Sequence, residues 1–176
     1  MQLIQASNAA SSLVWIVRLL SCALLVTALT LPQPASASDI SELPVQLQEK
    51  VNQAQQACSD FENGEFALEL GAVVRVDLDG DLRPDWALNE VFFACSSALS
   101  LYCGTGGCMS HFFVGDVISS ILNQRWDVVD LGPNRVLLTD VHGSQCGGIN
   151  PTPCVTASAW DAEDGIWRST AVEWVK

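Results

Sequence analysis

Four carboxylates fall within nine residues at Asp77-Leu-Asp-Gly-Asp-Leu-Arg-Pro-Asp85, at the first, third, fifth and ninth positions. Calcium takes about 6–8 hard oxygen ligands, and alternating carboxylates on a curled backbone converge on one ion. In that arrangement Asp77, Asp79 and Asp81 are the early ligands. Arg83 offers only its backbone carbonyl, and Asp85 ligates directly or through water. Gly80 eases the turn. The competing reading is a solvated acidic turn. Its like charges would raise some carboxylate pKa values, and Arg75 and Arg83 would partly offset the repulsion.

A helix-loop-helix calcium hand does not fit. It carries glycine at its sixth position and glutamate at its twelfth, where this chain has Leu82 and Leu88. The loop instead resembles the calcium loop between short strands of integrin alpha-chain, or FG-GAP, repeats, whose pattern is Asp-x-Asn/Asp-Gly-Asp-Gly-x-x-Asp. Asp77, Asp79, Gly80, Asp81 and Asp85 match that pattern. Leu82 replaces its second glycine, where a left-handed backbone is favoured. The resemblance covers nine residues, so it implies loop chemistry and not a propeller. The loop has no second copy, which also argues against a repeat array. More widely, residues 73–88, Cys95 and the Cys103-Gly-Thr-Gly-Gly-Cys108 stretch resemble small exported proteins of Gram-negative bacteria. In those, an Asp-Gly-Asp loop precedes a Cys-Gly-x-x-Gly-Cys hairpin. This likeness implies an envelope location and assigns no activity.

Enzymatic patterns are weaker. His142, Asp140 and Ser144 have the composition of a triad, but near neighbours on a strand do not all face one another. No Gly-x-Ser-x-Gly elbow surrounds Ser144. Cys103 and Cys108 stand further apart than a Cys-x-x-Cys redox pair. Gly104-Thr-Gly-Gly107 lacks the Lys-Ser/Thr of a phosphate loop. A small hydrolase using a histidine and carboxylates would need His111 or His142 within hydrogen-bond reach of an exposed Ser or Asp beside a pocket.

The elements that must carry the loop begin after an apolar leader. Residues 13–31 are almost continuously apolar, and Pro32-Gln-Pro-Ala-Ser-Ala37 follows. This reads as a secretory signal over residues 1–37 ending in Ala-x-Ala; an uncleaved membrane anchor is the alternative. Cys22 lies inside the apolar run, whereas a lipidated cysteine should follow it. Residues 38–176 then form one domain. Losing the leader removes Arg18 and no acid, moving the formal charge from −12 to −13. Such a surface disfavours nucleic acid and anionic lipid and suits cations or a basic protein partner. No stable membrane insertion is expected after cleavage.

Six cysteines remain in that domain: Cys58, Cys95, Cys103, Cys108, Cys146 and Cys154. An even number in an exported chain argues for disulfides, though sequence alone does not choose the pairing. Local spacing suggests Cys103 with Cys108 and Cys146 with Cys154, leaving Cys58 for Cys95. A zinc site is the rival, without a familiar finger spacing.

Leu43, Leu47, Val51, Ala54 and Cys58 recur at helical spacing, predicting an amphipathic helix over 43–61 with Ser41 as its cap. Short strands are expected near 66–70, 72–76, 86–88, 111–114, 126–129 and 135–139, with a closing hairpin of 155–161 and 166–172. Residues 117–122 read equally well as a strand or as a turn and a half of helix. The predicted class is α+β: an N-terminal amphipathic helix on a mainly antiparallel, twisted β-sheet, stapled by disulfides. Trp86, Trp126, Trp160, Trp167 and Trp174 are assigned to the core and its margins, with Trp160 and Trp167 paired across the last hairpin. The expected function is a non-catalytic structural or binding protein, periplasmic or secreted, with a calcium loop. A protein-binding module or inhibitor with an aromatic and acidic face is the alternative.

Overall fold

The computed structural model describes residues 40–169, which fall within one compact unit. The leader with Cys22, the end of the last expected strand and Trp174 lie outside the described residues.

Helix α1 spans Val45–Asp60 and buries Leu47, Val51, Ala54 and Cys58, the residues its spacing selected. Burying each larger side chain contributes about 1.5–3 kcal/mol. Ser41 does not cap it. Pro44 is the cap residue, and its carbonyl accepts the N–H groups of Leu47 and Gln48. The residue before a proline is pushed out of the helical region. The helix therefore cannot begin ahead of Pro44, and Ser41 falls in a separate 3₁₀ turn, Ile40–Glu42.

Among the described residues eleven strands follow: β1 (Phe66–Leu68), β2 (Val73–Val76), β3 (Asp85–Asn89), β4 (Phe93–Cys95), β5 (Cys103–Gly104), β6 (Gly107–Val114), β7 (Val117–Asn123), β8 (Arg125–Leu131), β9 (Asn134–Asp140), β10 (Val155–Asp161) and β11 (Ile166–Ser169). The expected single sheet resolves into three antiparallel ones. β1 pairs with β4, and β8 to β11 form a meander. The third sheet runs β2-β3-β6, with β5 and β7 both paired to β6. Residues 117–122 are strand, because β7 pairs with β6 residue by residue from Val114↔Val117 to Cys108↔Asn123.

The β2-β3-β6 sheet is the middle layer, and its pleat divides the core. Leu88 and Phe113 join Leu43, Leu47, Val51 and Ala54 of the helical segment. Their strand neighbours Ala87, Phe112 and Val114 point the other way, into a cluster with Leu137 of β9. Trp126, Trp160 and Trp167 flank that second cluster. Trp160 and Trp167 are cross-strand partners, with ring centroids 5.4 Å apart in an edge-to-face arrangement. On the helical side Phe66, Phe93 and Tyr102 form three edge-to-face pairs. The Tyr102 hydroxyl donates to the Ala54 carbonyl at 2.8 Å.

All six described cysteines are paired: Cys58–Cys95, Cys103–Cys108 and Cys146–Cys154. The first ties the end of α1 to β4 across a sequence separation of 37. Gly64 lies against it, and a Cβ there would meet both sulfurs at under 3 Å, at 2.6 Å and 2.7 Å. The chain-entropy relation for cross-links predicts unequal contributions. The Cys58→Ala, Cys95→Ala double variant is expected to lose about 4 kcal/mol of unfolding free energy. The Cys103→Ala, Cys108→Ala variant should lose about 2 kcal/mol on the same relation. Denaturant titration of the oxidised proteins checks the order.

Candidate metal centre

The acidic loop joins β2 to β3, which pair antiparallel with Val76 opposite Asp85. Its second residue, Leu78, is fully buried in the cluster between the two larger sheets. That anchor pulls the start of the loop inward. The Leu78 N–H donates to Asp85 Oδ2 at 2.9 Å, closing the loop across its base. Asp77 organises the middle: its Oδ1 accepts from the Gly80 N–H at 2.7 Å and its Oδ2 from the Leu82 N–H at 3.1 Å. Asp79 Oδ1 accepts from the Asp81 N–H at 3.0 Å.

Oxygens of Asp77, Asp79 and Asp85 lie within 4.8 Å of one another, and all three residues are half-buried. Burial is the main influence raising the Asp85 pKa. The Leu78 N–H opposes it, and the charges of Asp79, Asp81 and Asp77 add to it. Asp81 does not join the cluster. Its carboxylate takes the Arg83 backbone N–H at 2.8 Å and Nε at 2.7 Å. The Arg83 side-chain hydrogen bond is the main cause of its lowered pKa. The Arg83 guanidinium, a cation without an acceptor, is paired with Asp81 and only the Arg83 backbone carbonyl is a ligand candidate. Asp81 was an attractive ligand by alternation, but its neighbour two residues on offers a closer cation.

The expected arginine compensation is also redistributed. Arg75 lies 3.9 Å from the centroid of the Trp86 ring and donates to the Pro84 carbonyl at 2.6 Å. Arg135 of β9, invisible as a loop neighbour in the sequence, donates from Nε to the Asp77 carbonyl at 2.9 Å. It also bonds Asp130 at 2.9 Å. The loop is thus fastened to the second sheet by Leu78 and Arg135. The three carboxylates of Asp77, Asp79 and Asp85 are placed so that they could hold a metal ion.

The histidines are placed differently from the triad composition. Asp140 is paired with Arg125, while His142 Nδ1 lies 2.7 Å from Ser144 Oγ. His111 is buried, with Nδ1 at 2.6 Å from Ser120 Oγ and Nε2 at 2.9 Å from Glu90 Oε1. Neither Ser120 nor Glu90 was singled out in the sequence. Ser120 is the cross-strand partner of His111, and Glu90 arrives through a 3₁₀ turn, Glu90–Phe92. Comparison with protein-family models, curated proteins and solved structures finds no match for this chain.

Leu82 occupies the left-handed region at φ 68°, as does Gly80 at φ 88°. The Leu82 side chain is 89% exposed, so its packing does not offset that conformation, which costs about 1–2 kcal/mol for an L-residue. Leu82→Gly is expected to leave the fold intact and to raise the unfolding free energy by up to about 1 kcal/mol, because glycine adopts the left-handed region without that cost. Denaturant titration of both oxidised proteins measures the difference.

Proposed function

We propose that this is a non-catalytic exported protein whose acidic loop holds one structural calcium ion. The observation that carries the reading is the convergence of Asp77, Asp79 and Asp85 oxygens within 4.8 Å. Binding the ion would relieve carboxylate repulsion and clamp the β2–β3 connection, which already reaches the second sheet through Leu78 and Arg135. Three disulfides suit an oxidising compartment, and the apolar leader supports periplasmic or secreted delivery. Among the described residues no helix is long and apolar enough to cross a membrane. The strongly acidic balance of the chain favours a basic protein as partner. The four described tryptophans are all half-buried.

Calcium is expected to raise the melting temperature of the oxidised protein saturably. Asp79→Asn keeps an acceptor for the Asp81 N–H while removing one charge, and should lose most of that gain. Asp81→Asn should retain it, because Asp81 is committed to Arg83. Differential scanning calorimetry with and without calcium makes the comparison, and equal gains in all three proteins would refute the site.

The Ser120–His111–Glu90 chain is the specific observation behind a hydrolase reading. Its geometry serves equally to satisfy both ring nitrogens of a buried imidazole, which we take as its role. A fluorophosphonate probe is expected to leave Ser120 unlabelled in mass spectra of the folded protein; labelling lost in His111→Gln would instead support hydrolysis.

A further inference from the structure

A cavity of about 480 Å³ opens near Gly71 and Asn89, at the ends of β2 and β3 remote from the acidic loop. Its walls include Val74, Phe92, Trp126 and Cys108. Ser110 and Asn123 also line it, although they are only 5% and 4% exposed.

The polar groups around it are not equivalent. Asn89 is committed on both sides: its Oδ1 accepts from the Trp126 indole at 2.6 Å and its Nδ2 donates to the Gly71 carbonyl at 3.1 Å. That pair bridges the middle sheet to β8 and holds the indole in place. Asn123 Nδ2 donates to the Ile121 carbonyl at 2.9 Å, leaving its Oδ1 as an acceptor. The Ser110 side chain makes no hydrogen bond among the described residues, yet it is more than nine-tenths buried on the cavity wall. The hydroxyl is therefore free to bond a polar group inside the cavity. The one charged lining residue, Arg125, is already paired with Asp140, so the cavity offers no uncompensated charge.

We propose that this cavity binds a small, neutral, mostly apolar molecule bearing one hydroxyl group, with Ser110 and Asn123 holding the hydroxyl and Phe92 and Trp126 enclosing the apolar body. The hydroxyl of Ser110 can donate or accept, and the Asn123 carbonyl accepts. A ligand hydroxyl complements both, while apolar walls with a few placed polar groups are the usual make-up of a small-molecule site. The site is independent of the calcium reading, and neither requires the other.

The test uses 2-naphthol as probe and naphthalene as its match without the hydroxyl. Titrations of the oxidised protein are followed by two-dimensional NMR. Expected are shifts at the Trp126 indole and the Ser110 and Asn123 amides, with 2-naphthol about five- to tenfold tighter than naphthalene. Ser110→Ala should erase that preference while keeping naphthalene affinity, and Ser110→Thr should keep the preference. The proposal is overturned if neither compound binds up to its solubility, if both bind the parent equally, or if the shifts map elsewhere. It is also overturned if Ser110→Ala keeps the preference.

Discussion

At the centre of the middle sheet, β3 and β6 bury both of their faces. Ala87 and Leu88 are adjacent in β3, and Phe112 and Phe113 are adjacent in β6; all four are buried. Successive strand residues point to opposite sides, so both surfaces of this sheet are apolar and both need cover. Helix α1 supplies one cover, and the β8–β11 meander supplies the other. The remaining architecture follows from that double demand. The Cys58–Cys95 bond holds the helix end beside β4, while Trp126, Trp160 and Trp167 fill the margin between the two larger sheets.

The same demand places polar groups where solvent cannot reach them. His111 lies beside Phe112 on β6, a strand committed to the core, and it is satisfied by Ser120 and Glu90. Asn89 ends β3 on the opposite face from His111 and is satisfied by Gly71 and Trp126. Ser110, its cross-strand partner, lines the same cavity. These groups connect layers that hydrophobic burial alone would leave free to slide, because hydrogen bonds are directional and burial is not.

At the opposite end the constraint is electrostatic. The β2–β3 turn brings Asp77, Asp79 and Asp85 together, and the buried Leu78 prevents the loop from swinging outward to separate them. Backbone N–H groups and Arg135 offset part of the repulsion. Asp81 relieves it further by turning to Arg83. The outcome is a smaller and more focused oxygen cluster than the four acids of the loop imply.

Much of this was legible from residue order. Helical spacing selected the buried face of α1, alternation and turn residues located most of the strands, and short cysteine spacings pointed to the pairing found. The left-handed demand at Leu82 followed from the loop pattern alone. These are local properties, carried by side-chain periodicity and backbone preference over a few residues. Tertiary structure decided what depends on distant partners. It assigned residues 117–122 to a strand by pairing them with β6, divided the strands among three sheets, and brought Arg135 to Asp77. It also set Glu90 and Ser120 on His111 and opened the cavity beside Ser110. No short window encodes those contacts, because each arises only when separate segments bury their apolar faces against one another.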